Sequence, residues 1–77
     1  MYIATKNETE ILKIINENNS LYEERIIEEI CETIPEQVLS SRKIQIQNAL
    51  EGCIVKGFAE RTDNNEYKIT YEGKKQI

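Results

Sequence analysis

Residues 50–61, LEGCIVKGFAER, contain the point at which the hydrophobic period of the chain changes. Before Gly57 the apolar residues follow helical spacing, and from Phe58 onward apolar and polar residues alternate as in a strand. Gly57 is a natural residue to end a helix in the left-handed conformation, and Phe58 then supplies the hydrophobic contact of a Schellman cap. The stretch therefore predicts a helix that ends at Lys56 and leads directly into a strand.

Upstream of this stretch, three amphipathic segments predict three helices. The first covers residues 5–18 and starts with a Thr-x-x-Glu capping box. The second covers residues 20–34 and starts with a Ser-x-x-Glu capping box, and Pro35 then stops it or opens a new turn. The third begins at Ser40 or Ser41 and runs to Lys56, while residues 35–39 form at most one helical turn of their own.

Downstream, two alternating segments predict a β-hairpin. They cover residues 58–61 and 67–70, and the turn formers of residues 62–66 separate them. The expected fold class is therefore mainly α with a small β-hairpin, in a single domain over residues 1–77.

The composition excludes several classes of protein. The 77 residues contain no apolar run of about 18 residues, so we expect no transmembrane helix and no membrane partner. Residues 1–10 lack the basic and apolar regions of a signal peptide, so we expect none. Two cysteines are too few for a disulfide scaffold, and we expect them to be reduced in a cytoplasmic protein. The chain has no His, the commonest general base and metal ligand. Cys31 and Cys53 lie on apolar stripes, which favours inert buried thiols, so we expect neither an enzyme nor a metal or cofactor.

The two halves of the chain differ in charge, although the net charge is −4. Residues 1–36 carry nine acidic and three basic side chains, whereas residues 37–77 carry seven basic and five acidic ones. Such an asymmetry is typical of a nucleic-acid-binding face on an acidic body, and equally of a solvated surface with uneven charge.

Residues 50–61 resemble the end of a recognition helix that runs into the first strand of a wing, and residues 67–75 resemble a second wing strand that closes in a Thr-x-x-Gly-Lys turn. Both features are similar to those of small prokaryotic and phage winged-helix regulators of the MarR/PadR type. The resemblance covers residues 8–75 and implies a winged helix-turn-helix with three helices and a two-stranded wing. It also implies that the third helix enters the major groove of double-stranded DNA while the hairpin touches the backbone or the minor groove. A homodimer would double these contacts and match a palindromic site.

The residue types at the start of the predicted third helix suit this role. Arg pairs with guanine and Gln or Asn with adenine, while Ser hydroxyls and the helix N-terminus suit phosphate. The candidate DNA-binding residues are Ser41, Arg42, Lys43, Gln45 and Asn48 on the helix, and Arg61, Asn64, Asn65, Lys68 and Lys74 on and after the hairpin.

Ile44 leaves an alternative open. Helical geometry places it on the exposed face, between the candidate polar residues. There it contacts a thymine methyl group, or packs under the hairpin or a dimer partner, or belongs to a face that binds protein rather than DNA. The low pI of about 4.8 and the Glu-rich second helix favour the interpretation that this face binds protein. The chain would then be a protein-interaction module or a small phage or mobile-element inhibitor.

Overall fold

The structure is a computed structural model that describes residues 2–77, and these residues form four helices and a three-stranded antiparallel sheet. A mainly helical fold with a small antiparallel β element is therefore confirmed. None of the helices within residues 2–77 is both long and apolar enough to span a bilayer. In chain order the elements are α1 (Lys6–Asn18), β1 (Ser20–Leu21), α2 (Glu23–Cys31), α3 (Glu36–Val55), β2 (Ala59–Arg61), β3 (Tyr67–Ile69) and α4 (Tyr71–Lys74).

The capping box of α1 is confirmed. Thr5 Oγ1 accepts a hydrogen bond from the Glu8 amide at 3.2 Å, and Glu8 Oε1 accepts one from the Thr5 amide at 2.9 Å. These two bonds satisfy amides that have no partner inside the helix. The predicted start and end of α1 agree with the structure to within one residue.

The predicted capping box at Ser20 is wrong, because Ser20 lies in a strand. Ser20 and Leu21 form β1, which pairs with β3. The Ser20 hydroxyl donates a hydrogen bond to Glu66 Oε1 at 3.0 Å, 46 residues away. The prediction of a two-stranded element therefore missed one strand, and the sheet order is β1-β3-β2.

The bounds of α2 also differ from the prediction. The helix begins at Glu23 after the N-cap residue Tyr22, and no side chain within residues 2–77 caps it. It ends at Cys31, three residues before the predicted end at Ile34. Pro35 disfavours helical backbone at Ile34, which explains why the helix does not reach its predicted end.

Residues 36–55 form one continuous helix, so the predicted start of the third helix at Ser40 or Ser41 is wrong. Pro35 occupies the N-cap position with φ −60° and ψ 144°, and helical backbone follows from Glu36. The fixed φ of proline suits the start of a helix. Its missing N–H costs little there, because an amide at the start of a helix has no carbonyl partner inside the helix. The separate turn expected for residues 35–39 is thus the first turn of α3.

The end of α3 is the predicted Schellman cap. The Phe58 amide donates to the Cys53 carbonyl at 2.8 Å, and the Gly57 amide donates to the Ile54 carbonyl at 3.1 Å. Gly57 has φ +80°, a conformation that a side chain disfavours. The cap aims the chain into β2 and buries Phe58 in the core.

The core lies between one face of each long helix and the sheet. The fully buried aliphatic side chains come mainly from α1 and α3, while the sheet side of the core is closed by aromatic and aliphatic residues. Its largest members are Ile11, Leu12, Ile15, Ile26, Ile30, Ile46, Leu50, Phe58, Tyr67 and Ile69. Because one face of α3 is used for this core, the opposite face remains exposed.

One carboxylate is buried beside this core. Glu8 is 4% exposed, and its Oε1 accepts a hydrogen bond from Lys56 Nζ at 2.8 Å. Gly52 makes room for it, since a Cβ atom at Gly52 would overlap Glu8 Oε2. Burial raises the pKa of Glu8, but the hydrogen bonds from Lys56 and Thr5 and the charge of Lys56 outweigh that effect and hold the pKa below its ordinary value of 4.5.

Candidate nucleic-acid interface

The exposed side of α3 is a single stripe along the helix. Its members follow the alternating spacing of three and four residues that places side chains on one helical face. We call this stripe the outer face of α3, and it consists of the exposed residues Gln37, Ser41, Ile44, Asn48, Glu51 and Val55.

The outer face combines hydrogen-bonding and apolar groups. The side chains of Ile44 and Val55 are large and apolar, and these residues are 57% and 71% exposed. The predicted exposure of Ile44 is therefore confirmed. Glu51 is the one charged residue of this face as defined, so the face carries no cation.

Three uncharged candidate residues lie on or beside the outer face. Ser41 and Asn48 belong to it, and Gln45 is exposed at its edge. Gln45 Oε1 accepts a hydrogen bond from Arg42 at 3.2 Å, and the amide nitrogen of this exposed residue can still donate. These side chains can donate and accept hydrogen bonds without carrying charge.

Arg42 lies on the flank of α3 that faces α1. Its Nη1 donates to Asn7 Oδ1 at 2.8 Å and its Nη2 to Glu10 Oε1 at 2.5 Å. The Arg42 side chain is only 20% exposed. The guanidinium predicted to read bases is thus committed to a contact between α3 and α1.

We expect Arg42→Ala to lower the free energy of unfolding by about 1 kcal/mol, because it removes charge-assisted contacts between two helices. Lys43→Ala is the matched control and should change that free energy by less than about 0.5 kcal/mol, since Lys43 is exposed and pairs with no carboxylate of residues 2–77. Urea-induced unfolding followed by circular dichroism measures both variants. Equal stability of the two would contradict the structural role of Arg42.

Lys43 lies on the opposite flank of α3, which borders α2. It lines a groove together with three carboxylates of α2, those of Glu23, Glu24 and Glu28. The positive charge of Lys43 is therefore close to negative charges of α2. Lys43 is exposed, and it lies beside the outer face rather than on it.

The hairpin side chains gather beside the start of α2. Arg61, Asn64 and Asn65 line one cleft with Tyr67 and with residues 22–24. Arg61 Nη2 donates to Tyr67 Oη at 2.6 Å, and its guanidinium lies 5.2 Å from the centre of the Tyr67 ring. The pKa of Arg61 is raised, first by this hydrogen bond and further by the carboxylates of Glu51 and Glu23. Arg61 is exposed, so its guanidinium remains accessible beside the start of α2.

The remaining two candidate residues lie elsewhere. Lys68 is exposed on β3, the middle strand, opposite Glu60 of β2 and Ser20 of β1. Lys74 is exposed on α4. Eight of the ten candidate residues thus fall into a group on α3 and a group at the hairpin cleft, while Lys68 and Lys74 belong to neither group.

Sequence reasoning missed some members of this region. Gln37 was placed outside the third helix, and the acidic start of α2 was not placed beside the hairpin. The Pro-Glu pair at residues 35–36 is a helix-start signal that could have identified the first turn of α3. The cleft between α2 and the hairpin has no local sequence signal.

The thiols have different surroundings. Cys53 is fully buried, and burial together with the charge of Glu8 raises its pKa to about 12. Cys31 is half-buried beside the groove between α2 and α3. A thiol with a raised pKa is a poor nucleophile, so the chemistry of Cys53 is that of a packed apolar side chain.

Comparisons with protein families, curated proteins and solved structures find no match to this chain.

Proposed function

We propose that the protein is a winged-helix DNA-binding protein, a small transcriptional regulator that acts by occupying operator DNA. The observation that carries this proposal is the outer face of α3, a long exposed helical face whose polar groups can form hydrogen bonds. In this proposal α2 and α3 are the helix-turn-helix, and β2, β3 and their connection are the wing. The element order and the β1-β3-β2 sheet support that assignment.

The side chains of the outer face suit base edges better than phosphates. An Asn or Gln amide pairs with two groups of adenine in the major groove, and an aliphatic side chain contacts the methyl group of thymine. Asn48 and Gln45 would supply the amides, Ile44 the apolar contact and Ser41 a hydroxyl. The preferred site would therefore contain A·T pairs where the centre of α3 meets the groove.

Phosphate contacts would come from the margins of this surface. Lys43 flanks the outer face and Arg61 is exposed at the hairpin cleft, whereas Glu51 and Glu23 oppose phosphate. Because phosphate neutralisation supplies most non-specific affinity, one copy would bind modestly and with a clear salt dependence. A symmetric homodimer would double the contacts and favour a palindromic site.

The test first enriches a preferred duplex from a random-sequence library and then measures affinity by fluorescence anisotropy at two salt concentrations. The double variant Gln45→Ala/Asn48→Ala should bind the enriched duplex about tenfold more weakly, because it loses base contacts. Its affinity for random-sequence duplex should stay close to that of the wild type. Asn16→Ala, which removes an exposed asparagine from α1, is the matched control and should bind as the wild type does.

Two results would contradict the proposal. One is the failure of any duplex to bind at about 50 mM salt, where phosphate contacts are strongest. The other is an enriched duplex that the double variant and the wild type bind equally. Light scattering on the complex then reports whether one or two copies occupy the site.

One observation favours a second candidate, a module of the same fold that binds a protein. The outer face exposes Ile44 and Val55 beside the carboxylate of Glu51 and carries no cation. Exposed apolar groups beside an acidic group suit a protein surface more than a polyanion. Failure to bind DNA at low salt would therefore leave a protein partner as the function of this face, as for a small inhibitor.

A further inference from the structure

A groove of about 620 Å³ lies between α2 and α3, beside the outer face of α3 but separate from it. Its lining has an apolar part made of half-buried side chains and a polar part made of exposed or half-buried ones. The apolar part consists of Ile27, Cys31 and Leu39, and the polar part consists of Glu23, Glu24 and Glu28 from α2 with Lys43 and Gln47 from α3.

The charge of the groove is negative. Three carboxylates face one ammonium group across it. Glu28 is neutralised in part by Arg25, whose Nη1 lies 3.2 Å from Glu28 Oε2. Glu23 and Glu24 form no ion pair with any of residues 2–77, so their charges are available to a ligand.

The apolar part of the groove is exposed to a ligand as well. Leu39 is half-buried, yet it is not among the apolar side chains that pack against the core within residues 2–77. Ile27 and Cys31 do pack against the core and present their remaining surface to the groove. The groove therefore offers an apolar strip with an acidic wall along α2.

We propose that this groove docks a basic amphipathic helix from a protein partner. Leu39 and Gln47 are eight positions apart on α3, about 12 Å, which matches about two turns of an incoming helix. Apolar side chains at i, i+4 and i+7 of the partner lie on Ile27, Cys31 and Leu39, and its Lys or Arg side chains face the α2 carboxylates. The acidic wall disfavours nucleic acid and acidic peptides, so the docking proposal does not rest on the DNA-binding proposal, although Lys43 and Glu23 border both surfaces.

The test uses a synthetic helical peptide of about 14 residues with Leu on one face and Lys beside it, and a second peptide in which Glu replaces every Lys. Titrated into the isotope-labelled protein, the Lys peptide should shift amide resonances of α2 and of residues 39–47, and the Glu peptide should not bind. Glu24→Lys should weaken binding about fivefold, whereas Glu17→Lys, the same charge change at an exposed position of α1, should leave it nearly unchanged.

Leu39→Asp separates docking from general attraction between opposite charges. If the groove docks the peptide, loss of the apolar contact should weaken binding at least about tenfold, although the variant gains a negative charge. Circular dichroism checks that it folds, and Leu39→Ala, with a smaller loss in the same direction, serves if it does not. The proposal is overturned if Leu39→Asp binds as tightly as the wild type, if Glu17→Lys and Glu24→Lys weaken binding equally, or if the resonance shifts centre on the outer face.

Discussion

Lys56→Met should lower the free energy of unfolding by about 3 kcal/mol at neutral pH, because it leaves the Glu8 carboxylate buried without its cation. The Glu8 side chain is 5% exposed and the Lys56 side chain 23%, and their atoms Oε1 and Nζ are 2.8 Å apart. Methionine keeps the length and apolar stem of lysine, so the loss reports the charge rather than the packing. Urea-induced unfolding at pH 7 measures it.

The same substitution should change how stability depends on pH. In the wild type the pKa of Glu8 is below 4.5 in the folded state, so its contribution is present above that pH and is lost as pH falls through the folded pKa. In the variant, burial without Lys56 raises the folded pKa, so stability is lost as pH rises through it. The difference in stability between wild type and variant should therefore be large at pH 7 and begin to shrink as pH falls through the raised folded pKa of the variant. It should shrink further below 4.5, where the wild type loses its own contribution.

Lys75→Met is the matched control for Lys56→Met. Lys75 Nζ lies 3.3 Å from Glu72 Oε1, but both side chains are at least half exposed, so this pair should contribute less than about 1 kcal/mol. A difference between wild type and Lys56→Met that stays the same from pH 7 to pH 4, or equal losses for the two variants, would contradict the role assigned to the buried pair.

The start of α1 and the end of α3 are predictable from the sequence, because each is fixed by contacts between residues close together in the chain. The capping box at Thr5 and the Schellman cap at Gly57 each depend on residues within five positions of one another, and the structure has both. The capping box at Ser20 has the same local signal but fails. Its hydroxyl bonds to Glu66 and its backbone pairs with Lys68, contacts that no local pattern encodes.

In the candidate interface, too, local features are predictable from the sequence and long-range contacts are not. The exposure of Ile44 follows from helical periodicity alone, because the core stripe fixes which side of α3 faces solvent. The role of Arg42 does not follow from it, since its partners Asn7 and Glu10 lie more than 30 residues away on α1. The first turn of α3 lacks a buried apolar residue, so its hydrophobic pattern gives no sign of a helix before Ser40.

The short helix α4 is held against the start of β2 by a close approach of backbone to backbone. Gly73 is buried, and its amide donates to Thr70 Oγ1 at 3.0 Å. The Thr70 hydroxyl in turn donates to the Gly57 carbonyl at 2.6 Å, and the Thr70 amide donates to the Phe58 carbonyl at 3.0 Å. A Cβ atom at Gly73 would overlap that Phe58 oxygen and lie 2.8 Å from Ile69 Cγ1.

Gly73→Ala should therefore lower the free energy of unfolding by about 3 kcal/mol, because the atom it overlaps belongs to the backbone and cannot rotate away. Gly57→Ala is the matched control: its Cβ would meet no atom within 4 Å, but its φ of +80° costs a side chain about 1 kcal/mol. Thermal and urea unfolding compare the two.

If Gly73→Ala costs no more than Gly57→Ala, α4 does not pack on the Phe58 carbonyl as described. A loss confined to the amides of residues 70–77 in hydrogen exchange would instead show that α4 undocks as a local unit.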